Sequence, residues 1–226
     1  ITSTLDSLTN VSPVPITATF NKSVTGFEVD DIAITNGTAS DFSGSGTTYT
    51  FNVTPTANGT VTIEIPTDIC TDAAGNSNIS SSISIFYDTT PPSIALISPI
   101  AGDSLGIGSL KTISWQASDN YGVSKVDISH TLDNGSSWTD IILGQADTST
   151  FSWSIPNTPS EDIQLKFITT DVIGYTDTSY IQNLSIVIEY PVLQSYTPMD
   201  TYSPLTMDNI QLEFSVAMDP ETISNI

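Results

Sequence analysis

Tyr87-Asp88-Thr89-Thr90-Pro91-Pro92, residues 87–92, is the stretch that divides this chain into separate folding units. Its two prolines hold φ at about −65° and lack a backbone N–H, so no strand ladder runs through them. The residue before each proline is driven into an extended conformation. The sequence therefore predicts a stiff, extended connector between a strand at Ser82–Tyr87 and a strand at Ser93–Ser98.

A second proline junction, Glu189-Tyr190-Pro191, follows roughly 100 residues later, which is a common domain length. We therefore expect three modules. Residues 1–89 form the first, whose opening strand we expect to start before residue 1. Residues 90–190 form the second, and residues 191–226 hold the first strands of a third, incomplete module.

The first module alternates apolar and polar residues with the period of two that half-buried strands require. Turn signals separate the strands, and no stretch keeps a helical apolar stripe over three turns. The sequence predicts an all-β immunoglobulin-like sandwich. The inward residues are Val14, Ile16, Ala18, Phe20, Tyr49, Phe51, Val53, Val61, Ile63, Ile65, Ile83 and Ile85, and the turns are Asn36-Gly37, Ser43-Gly44-Ser45-Gly46, Asn58-Gly59 and Ala74-Gly75-Asn76.

The second module shows the same alternation and is also predicted to be a β-sandwich. Cys70 is the only cysteine of the chain, so neither module has an internal disulfide. We expect the three tryptophans to supply large apolar bodies to the core and His130 to be a half-buried structural histidine. The predicted inward residues are Ile113, Trp115, Ala117, Val126, Ile128, Ile163, Leu165, Phe167, Leu184, Ile186 and Ile188, with Trp138 and Trp153.

The charge of the chain is strongly acidic. The formal net charge is −21, from 25 acidic side chains and 4 lysines with no arginine. Nucleic-acid binding is excluded as a function class because it depends on Lys and Arg neutralising phosphates. The sequence also lacks the ~18 consecutive apolar residues of a membrane span, so we expect no insertion into a membrane within this chain.

Three segments carry a family resemblance. The sequence from Pro13 to Pro66, with Thr71-Asp72-Ala73-Ala74-Gly75-Asn76 and the connector, resembles the immunoglobulin-like repeats of large bacterial surface proteins and adhesins. Pro91 to Ser129 resembles another bacterial Ig-like or fibronectin-like module, and Thr197 to Ile223 is similar to the start of Ig-like modules in S-layer-type proteins. These resemblances imply tandem Ig-like sandwiches, an extracellular stalk or scaffold role, and, in some members, calcium at linkers.

Catalytic motifs are absent from the sequence. It contains no Gly-x-Ser-x-Gly elbow, no phosphate-binding glycine loop and no cluster of His and Cys. We therefore predict that the chain is not an enzyme and that Ca²⁺ is its only candidate cofactor.

Several loops are rich in side-chain oxygen, which calcium prefers. We expect Asp88, Asp119 and Asp171 to meet at one end of the second module, where a calcium ion would hold the connector. The alternative is that each aspartate caps its own turn. The full set of candidate metal ligands is Asp30, Asp31, Asp72, Asp88, Asp119, Asn120 and Asp171.

Thr131-Leu132-Asp133-Asn134-Gly135-Ser136-Ser137-Trp138 fits an Asp-box, Ser/Thr-x-Asp-x-Gly-x-x-Trp. Its functional interpretation is carbohydrate contact through Trp138. The favoured interpretation is a stabilised hairpin, because Asn-Gly by itself specifies a tight turn.

Asn-x-Ser/Thr sequons make several asparagines candidates for N-glycosylation, although a chain this rich in Ser and Thr also produces sequons by composition alone. The candidates are Asn10, Asn21, Asn36, Asn52, Asn58, Asn78, Asn134 and Asn183.

Together these patterns predict a structural stalk or scaffold segment of a long extracellular surface protein, such as an adhesin, a surface filament or an S-layer-like protein. Its partners would be the neighbouring modules and other copies of the chain in a filament or surface layer. The alternatives are a glycan- or protein-binding module and a non-catalytic appendage of a secreted enzyme.

Overall fold

The first module is built from two sheets that face each other. In the computed structural model, which describes residues 1–190, 193–198 and 210–214, one sheet has the strand order β1-β3-β5 with β7 also on β3, and the other has β2-β8-β6-β4. The elements are β1 (Thr2–Ser3), β2 (Leu8–Thr9), β3 (Val14–Thr25), a 3-10 turn (Val29–Asp31), β4 (Ala33–Thr35), β5 (Gly37–Pro55), β6 (Gly59–Ile65), β7 (Thr71–Asp72) and β8 (Ser81–Tyr87).

Period-two alternation produces the core of this module. Val53 and Ile63 are completely buried, and the other predicted inward residues are buried or partly buried with them. Phe20 is only partly buried and packs edge-on against Phe27, with ring centroids 5.4 Å apart. The predicted strands are therefore correct here, because only a sheet puts alternate residues on one face.

The turn predicted at Ser43-Gly44-Ser45-Gly46 is wrong as a strand boundary, because these residues lie inside β5. The strand bends there: Gly44 and Gly46 have φ of +126° and +71°. A Cβ at Gly44 would lie 2.3 Å from the Thr48 carbonyl oxygen, so the two segments of backbone approach too closely for any side chain. Glycine here permits a bend within a strand.

The second module contains a five-stranded sheet of order β10-β16-β15-β12-β13 and a three-stranded sheet of order β14-β11-β9. The strands are β9 (Ser93–Ser98), β10 (Ser104–Gly106), β11 (Leu110–Ser118), β12 (Val123–Thr131), β13 (Thr139–Gln145), β14 (Thr150–Ser154), β15 (Ser160–Asp171) and β16 (Thr176–Val187). Trp115 and Phe167 are almost completely buried between the sheets, with ring centroids 6.3 Å apart.

Two residues predicted to lie in this core are outside it. Trp138 lies two residues before Asp140, so the two side chains point to the same face of the sheet. Asp140 pairs with Ser129, and Ser129 pairs with Lys166, which lies on the outer face. Ile188 is 48% exposed because β16 ends at Val187. Both errors come from register and strand length, which the alternation alone does not specify.

His130 is more deeply buried than predicted, with 8% exposure. Its ring lies against Trp153, with centroids 5.3 Å apart, and its Nδ1 has no hydrogen-bond partner. Burial lowers the pKa of His130, and a hydrogen bond to the Thr139 backbone opposes this to a smaller extent. The residue is a structural part of the core.

Each module pairs an early strand in parallel with its last strand. In the first, β2 runs parallel to β8, with Leu8 opposite Phe86. In the second, β10 runs parallel to β16, with Leu105 opposite Ile186. All other strand pairs in the described residues are antiparallel.

Beyond the second module the backbone forms two further strands, β17 (Leu193–Pro198) and β18 (Ile210–Phe214), which pair antiparallel. The rest of residues 191–226 lies outside the described residues, so a third module stays a prediction. Within the described part of the chain, no helix has the length and apolarity needed to cross a membrane.

Candidate functional site

The connector between the modules is held to the first one by hydrogen bonds. Asp88 follows β8, and its backbone N–H donates to the Thr9 carbonyl oxygen at 2.9 Å. The Asn58 Oδ1 atom accepts from the Thr89 backbone N–H at 3.1 Å and from the Thr89 hydroxyl at 2.9 Å. The Asn58 amide also contacts the Thr90 hydroxyl. The prolines and these bonds together fix where Asp88 points.

Two loops of the second module contribute the other candidate ligands. Asp119 follows β11, and its Oδ2 accepts from the backbone N–H groups of Tyr121 and Gly122 at 2.8 and 2.9 Å. Asp171 ends β15, and its Oδ1 accepts from the backbone N–H groups of Gly174 and Tyr175 at 2.6 and 2.8 Å. Both loops are thus capped by their own aspartate.

The structure brings three of the seven predicted ligands together: Asp88, Asp119 and Asp171, which we call the junction cluster. Each offers a carboxylate oxygen, and these three atoms lie within 4.8 Å of one another. Asp88 is 1% exposed and Asp171 is 2% exposed. The alternative of local capping also holds, because the Asp88 Oδ1 accepts from the Thr90 N–H at 2.9 Å.

Capping leaves carboxylate oxygens of the cluster without partners. The Oδ1 of Asp119 and the Oδ2 of Asp171 are buried and accept no hydrogen bond. Buried polar atoms are rarely left in this state, and a carboxylate oxygen is more costly to bury than a neutral one. These atoms are therefore available to a cation.

No cationic side chain compensates the cluster. Three of the four lysines pair with other aspartates: Lys22 with Asp72, Lys111 with Asp103 and Lys125 with Asp127. Lys166 lies 4.5 Å from the centroid of the Trp138 ring. The chain has no arginine, so the three carboxylates face one another without a positive partner.

Direct side-chain contacts also join the two modules. The Asn10 side-chain amide donates to the Tyr175 hydroxyl at 3.1 Å. The rings of Phe86 and Tyr121 lie 4.8 Å apart between centroids. None of these four residues was predicted to lie at the junction, since contacts across a junction depend on how one module is rotated against the other. The only local signal is that Tyr121 and Tyr175 follow capping aspartates.

The other predicted ligands lie elsewhere or on the surface. Asn120 follows Asp119 in the same loop and is exposed. Asp30 is exposed on the 3-10 turn, and the Asp31 Oδ2 accepts from the Glu28 N–H at 2.7 Å, which caps that turn. Asp72 is committed to its own loop: hydrogen bonds from Asn76, and then from Lys22, hold its pKa far below the usual range.

The Asp-box has the geometry of a stabilised hairpin. Asp133 accepts from the Ser137 N–H at 2.8 Å and from the Thr131 hydroxyl at 2.6 Å. Hydrogen bonds from Ser137, and then from Thr131, lower the pKa of Asp133 to about 2. The Trp138 ring packs beside Tyr180 and under Lys166, so a ring face that would stack on a sugar is covered by the protein's own side chain.

Several sequon asparagines use the nitrogen that a glycan would occupy. Asn78 Nδ2 donates to the Pro66 carbonyl oxygen at 2.6 Å, and its Oδ1 accepts from the Ile69 and Cys70 N–H groups. Asn10, Asn36, Asn52 and Asn58 also donate from Nδ2. Asn21, Asn134 and Asn183 are exposed, and glycosylation stays a prediction for the whole set.

Family models match both modules. A model described as a bacterial Ig-like domain matches residues 1–89, and one described as a bacterial Ig domain matches residues 92–166. Residues 1–89 and 92–166 are therefore bacterial immunoglobulin-like domains. Its two Ig-like modules stand in tandem, and the two matches are separated only by part of the connector.

Some solved structures resemble the chain at low sequence identity and with low TM-scores. Fibronectin(III)-like modules of Clostridium thermocellum CbhA are 14% identical over 80% of this chain and 87% of that one, with a TM-score of 0.36. The Yersinia pseudotuberculosis adhesin InvE is 11% identical over 76% of this chain and 54% of its own, with a TM-score of 0.28. A putative membrane anchored protein from Corynebacterium diphtheriae is 12% identical over 88% and 55%, with a TM-score of 0.29. No curated protein matches the chain.

Proposed function

We propose that this chain is a structural segment of a long extracellular surface protein, in which tandem Ig-like modules act mechanically as a stalk or scaffold. The proposal combines the tandem Ig-like architecture with an acidic composition that suits mutual repulsion and solubility. It assigns the chain no catalytic role. Its partners are neighbouring modules, and a filament or surface layer of further copies is the larger assembly it would serve.

The observation that supports this role is the parallel pairing of an early strand with the last strand in each module. Two parallel neighbours enter and leave the module at opposite ends. Tension between the ends therefore pulls them past each other and stretches all the hydrogen bonds between them at once. In the first module these bonds include Phe86 N–H to Ser7 O at 2.7 Å and Asp88 N–H to Thr9 O at 2.9 Å.

The second module repeats this arrangement. Ile107 N–H donates to Val187 O at 3.0 Å, and Ser185 N–H donates to Asp103 O at 3.1 Å. We call these pairs, β2 with β8 and β10 with β16, the parallel clamps. A clamp in each module means that force applied along the tandem loads the hydrogen bonds between the two clamp strands together, in addition to the antiparallel pairs that β1 and β9 make with β3 and β11.

The experiment is single-molecule stretching of the full chain between handles at its two ends. Ile107→Pro removes the Ile107 N–H donor from the second clamp. Leu143→Pro is the control, since Leu143 is exposed on the edge strand β13, outside both clamps. Both variants are compared with wild type in stretching and in denaturant unfolding.

We expect Ile107→Pro to lower the unfolding force of the second module by more than Leu143→Pro does, at comparable loss of equilibrium stability. The first module, which keeps its clamp, should unfold at the wild-type force in both variants. Equal unfolding forces in the two variants would contradict a mechanical role for the clamp.

A glycan- or protein-binding module and an appendage of a secreted enzyme remain the alternative functions. The outer face of the second module carries an aromatic pair, Trp138 with Tyr180, and Lys166 lies over the tryptophan ring. Glycan-array binding that is lost in Trp138→Ala would favour the binding module over the stalk.

A further inference from the structure

We propose that the junction cluster is a calcium site that joins the two modules, with Asp88 as the ligand from the first module and its connector, and Asp119 and Asp171 as ligands from the second. This inference concerns the cluster alone and stands independently of the mechanical role. Its starting point is the convergence of three carboxylate oxygens within 4.8 Å of one another at the junction.

Buried and unpartnered oxygens are the independent evidence for a ligand. Asp171 is 2% exposed, one of its oxygens caps the Gly174–Tyr175 turn, and the other has no partner. Asp119 repeats the pattern with one capping oxygen and one buried free oxygen. A carboxylate that only capped its turn would gain nothing from burying its second oxygen. A carboxylate that binds an ion uses both oxygens, one to cap the turn and the other as the ligand atom.

The negative charge of the three carboxylates indicates that the ligand is a cation. Like charges at this separation repel strongly when water is excluded, and burying an ion without a compensating partner is costly. The lysines are engaged elsewhere, and the groups around the cluster, Tyr121, Tyr175 and Phe86, carry no positive charge. A bound cation removes the repulsion and supplies the missing partners together.

The chemistry of the ligands favours calcium among cations, and their spacing is compatible with it. Calcium binds oxygens at about 2.3–2.6 Å, so two ligands on opposite sides of the ion are about 4.6–5.2 Å apart. Magnesium binds at about 2.0–2.1 Å, which limits the same separation to about 4.2 Å. The three carboxylate oxygens all lie within 4.8 Å of one another, so a single calcium ion can reach all of them, and the comparison with magnesium below distinguishes the two ions. An all-oxygen set with no His or Cys also disfavours zinc and copper.

The three ligands come from both modules, so an ion bound to all of them would link the modules. Asp119 and Asp171 lie in neighbouring loops, linked by the Val172 N–H to Gly122 O bond at 3.2 Å, so the second module presents a preformed pair. Asp88 comes from the connector, whose position the bonds to Thr9 and Asn58 hold. An ion bound to all three fixes the connector against the second module. The coupling between modules should therefore depend on calcium.

The test uses the full chain and calcium alone as the ligand, at about 150 mM monovalent salt so that diffuse attraction to the acidic surface is screened. Calcium binding is measured by calorimetry and by the melting temperature, with magnesium as the comparison ion. Asp88→Asn, Asp119→Asn and Asp171→Asn each remove one charge but keep an oxygen that can cap the turn, so these variants should fold. Asp30→Asn removes an exposed charge away from the junction and is the matched control.

We expect one calcium ion per chain, weaker binding of magnesium, and a loss of calcium affinity of about tenfold or more in each junction variant. Asp30→Asn should bind like wild type. In chelator, Asp119→Asn and Asp171→Asn should melt at or above the wild-type temperature, because repulsion has been removed, and below it in calcium. A purely structural role for these residues would lower the melting temperature in both conditions.

Hydrogen exchange at the Thr90 amide tests the link between modules, since that amide is bonded to Asp88. Calcium should slow its exchange in wild type and not in Asp171→Asn. No change of melting temperature with millimolar calcium, equal effects of magnesium, or wild-type binding in the junction variants would overturn the site. Calcium binding that leaves Thr90 exchange unchanged would overturn the link to the first module.

Discussion

The ring of Phe86 lies against the ring of Tyr121 across the boundary between the first and second modules, with centroids 4.8 Å apart and planes at 56°. Phe86 belongs to the last strand of the first module, and Tyr121 belongs to the loop that Asp119 caps. An aromatic contact therefore lies beside the junction cluster and buries surface that each module alone would expose to water.

We predict that this aromatic contact couples the unfolding of the two modules. A double-mutant cycle with Phe86→Ala and Tyr121→Ala should give a coupling free energy of about 0.5–1.5 kcal/mol, the usual value for such pairs. Tyr180→Ala, on the outer face of the second module, is the control and should show no coupling to Phe86→Ala. Denaturant unfolding measures all the variants. Additive effects of the two junction changes would contradict the prediction.

Asn58 should control the order of the connector. Asn58→Ala removes the acceptor of the Thr89 N–H and hydroxyl. We expect amide exchange at Thr89 to accelerate, because that N–H loses its partner, while exchange in the core strand β6 stays unchanged. Asn21→Ala, an exposed asparagine in the same module, should leave Thr89 unaffected. If both variants behave alike, the proline pair alone orders the connector.

Each module has its own core, and damage to one should stay within it. The buried clusters of the two modules share no residue. Phe51→Ala should lower the stability of the first module and Phe167→Ala that of the second, by about 3–5 kcal/mol each. Calorimetry should resolve two transitions in each variant, with the transition of the mutated module shifted by far the more, because the contact across the junction contributes much less than a core side chain. A single transition that moves as a whole would indicate that the modules unfold as one unit.

Acid should weaken the Asp-box hairpin. The pKa of Asp133 is lowered from 3.8 to about 2, chiefly by its hydrogen bond from the Ser137 side chain. A carboxyl group with a lowered folded-state pKa stabilises the fold above its unfolded pKa, and this stabilisation is lost as pH falls through the folded value. The Ser137 amide resonance should therefore shift with a midpoint near pH 2, and Asp133→Asn should abolish that transition. A midpoint near 4 would mean that the hydrogen bonds do not favour the charged carboxylate.

Mild acid should also destabilise the fold through His130, which gains a charge on protonation where a carboxylate loses one. Burial lowers the pKa of His130, so below the ordinary histidine pKa of about 6.5 the unfolded chain takes up a proton before the folded one does. Stability should fall between neutral pH and about pH 5. The decrease should be smaller in His130→Gln, measured as the melting temperature at both pH values. An equal decrease in the variant would assign the effect to the carboxylates.

The sequence predicted the parts of the fold that depend on local alternation. Strand β9 begins and ends at the predicted residues, and Tyr49, Phe51 and Val53 share one buried face because alternate side chains must do so. Trp138 was misplaced because its phase depends on the irregular register between β12 and β13, which is a property of two strands together. Gly44 was misjudged because glycine allows both a turn and a bend inside a strand.

At the junction too, the sequence predicted what depends on local pattern and not what depends on two units packing together. Asp88, Asp119 and Asp171 could be grouped from the sequence because Asp119 and Asp171 come where strands end at one end of the second module, and Asp88 lies at the entry to that module. Their burial and their unpartnered oxygens could not be predicted, since these depend on how closely the connector approaches the loops. The contacts of Asn10 with Tyr175 and of Phe86 with Tyr121 leave little local signal, because they are fixed by the rotation between two folded bodies.

All four lysines lie inside strands: Lys22 in β3, Lys111 in β11, Lys125 in β12 and Lys166 in β15. Trypsin cuts after lysine or arginine and needs several residues of unpaired, extended backbone in its cleft. Because the chain has no arginine, its loops offer trypsin nothing to cut, and every described cleavage site opens only when a strand leaves its sheet. The rate of digestion by trypsin would therefore report how often these sheets open. An enzyme of this specificity would cleave a folded array of such modules very slowly.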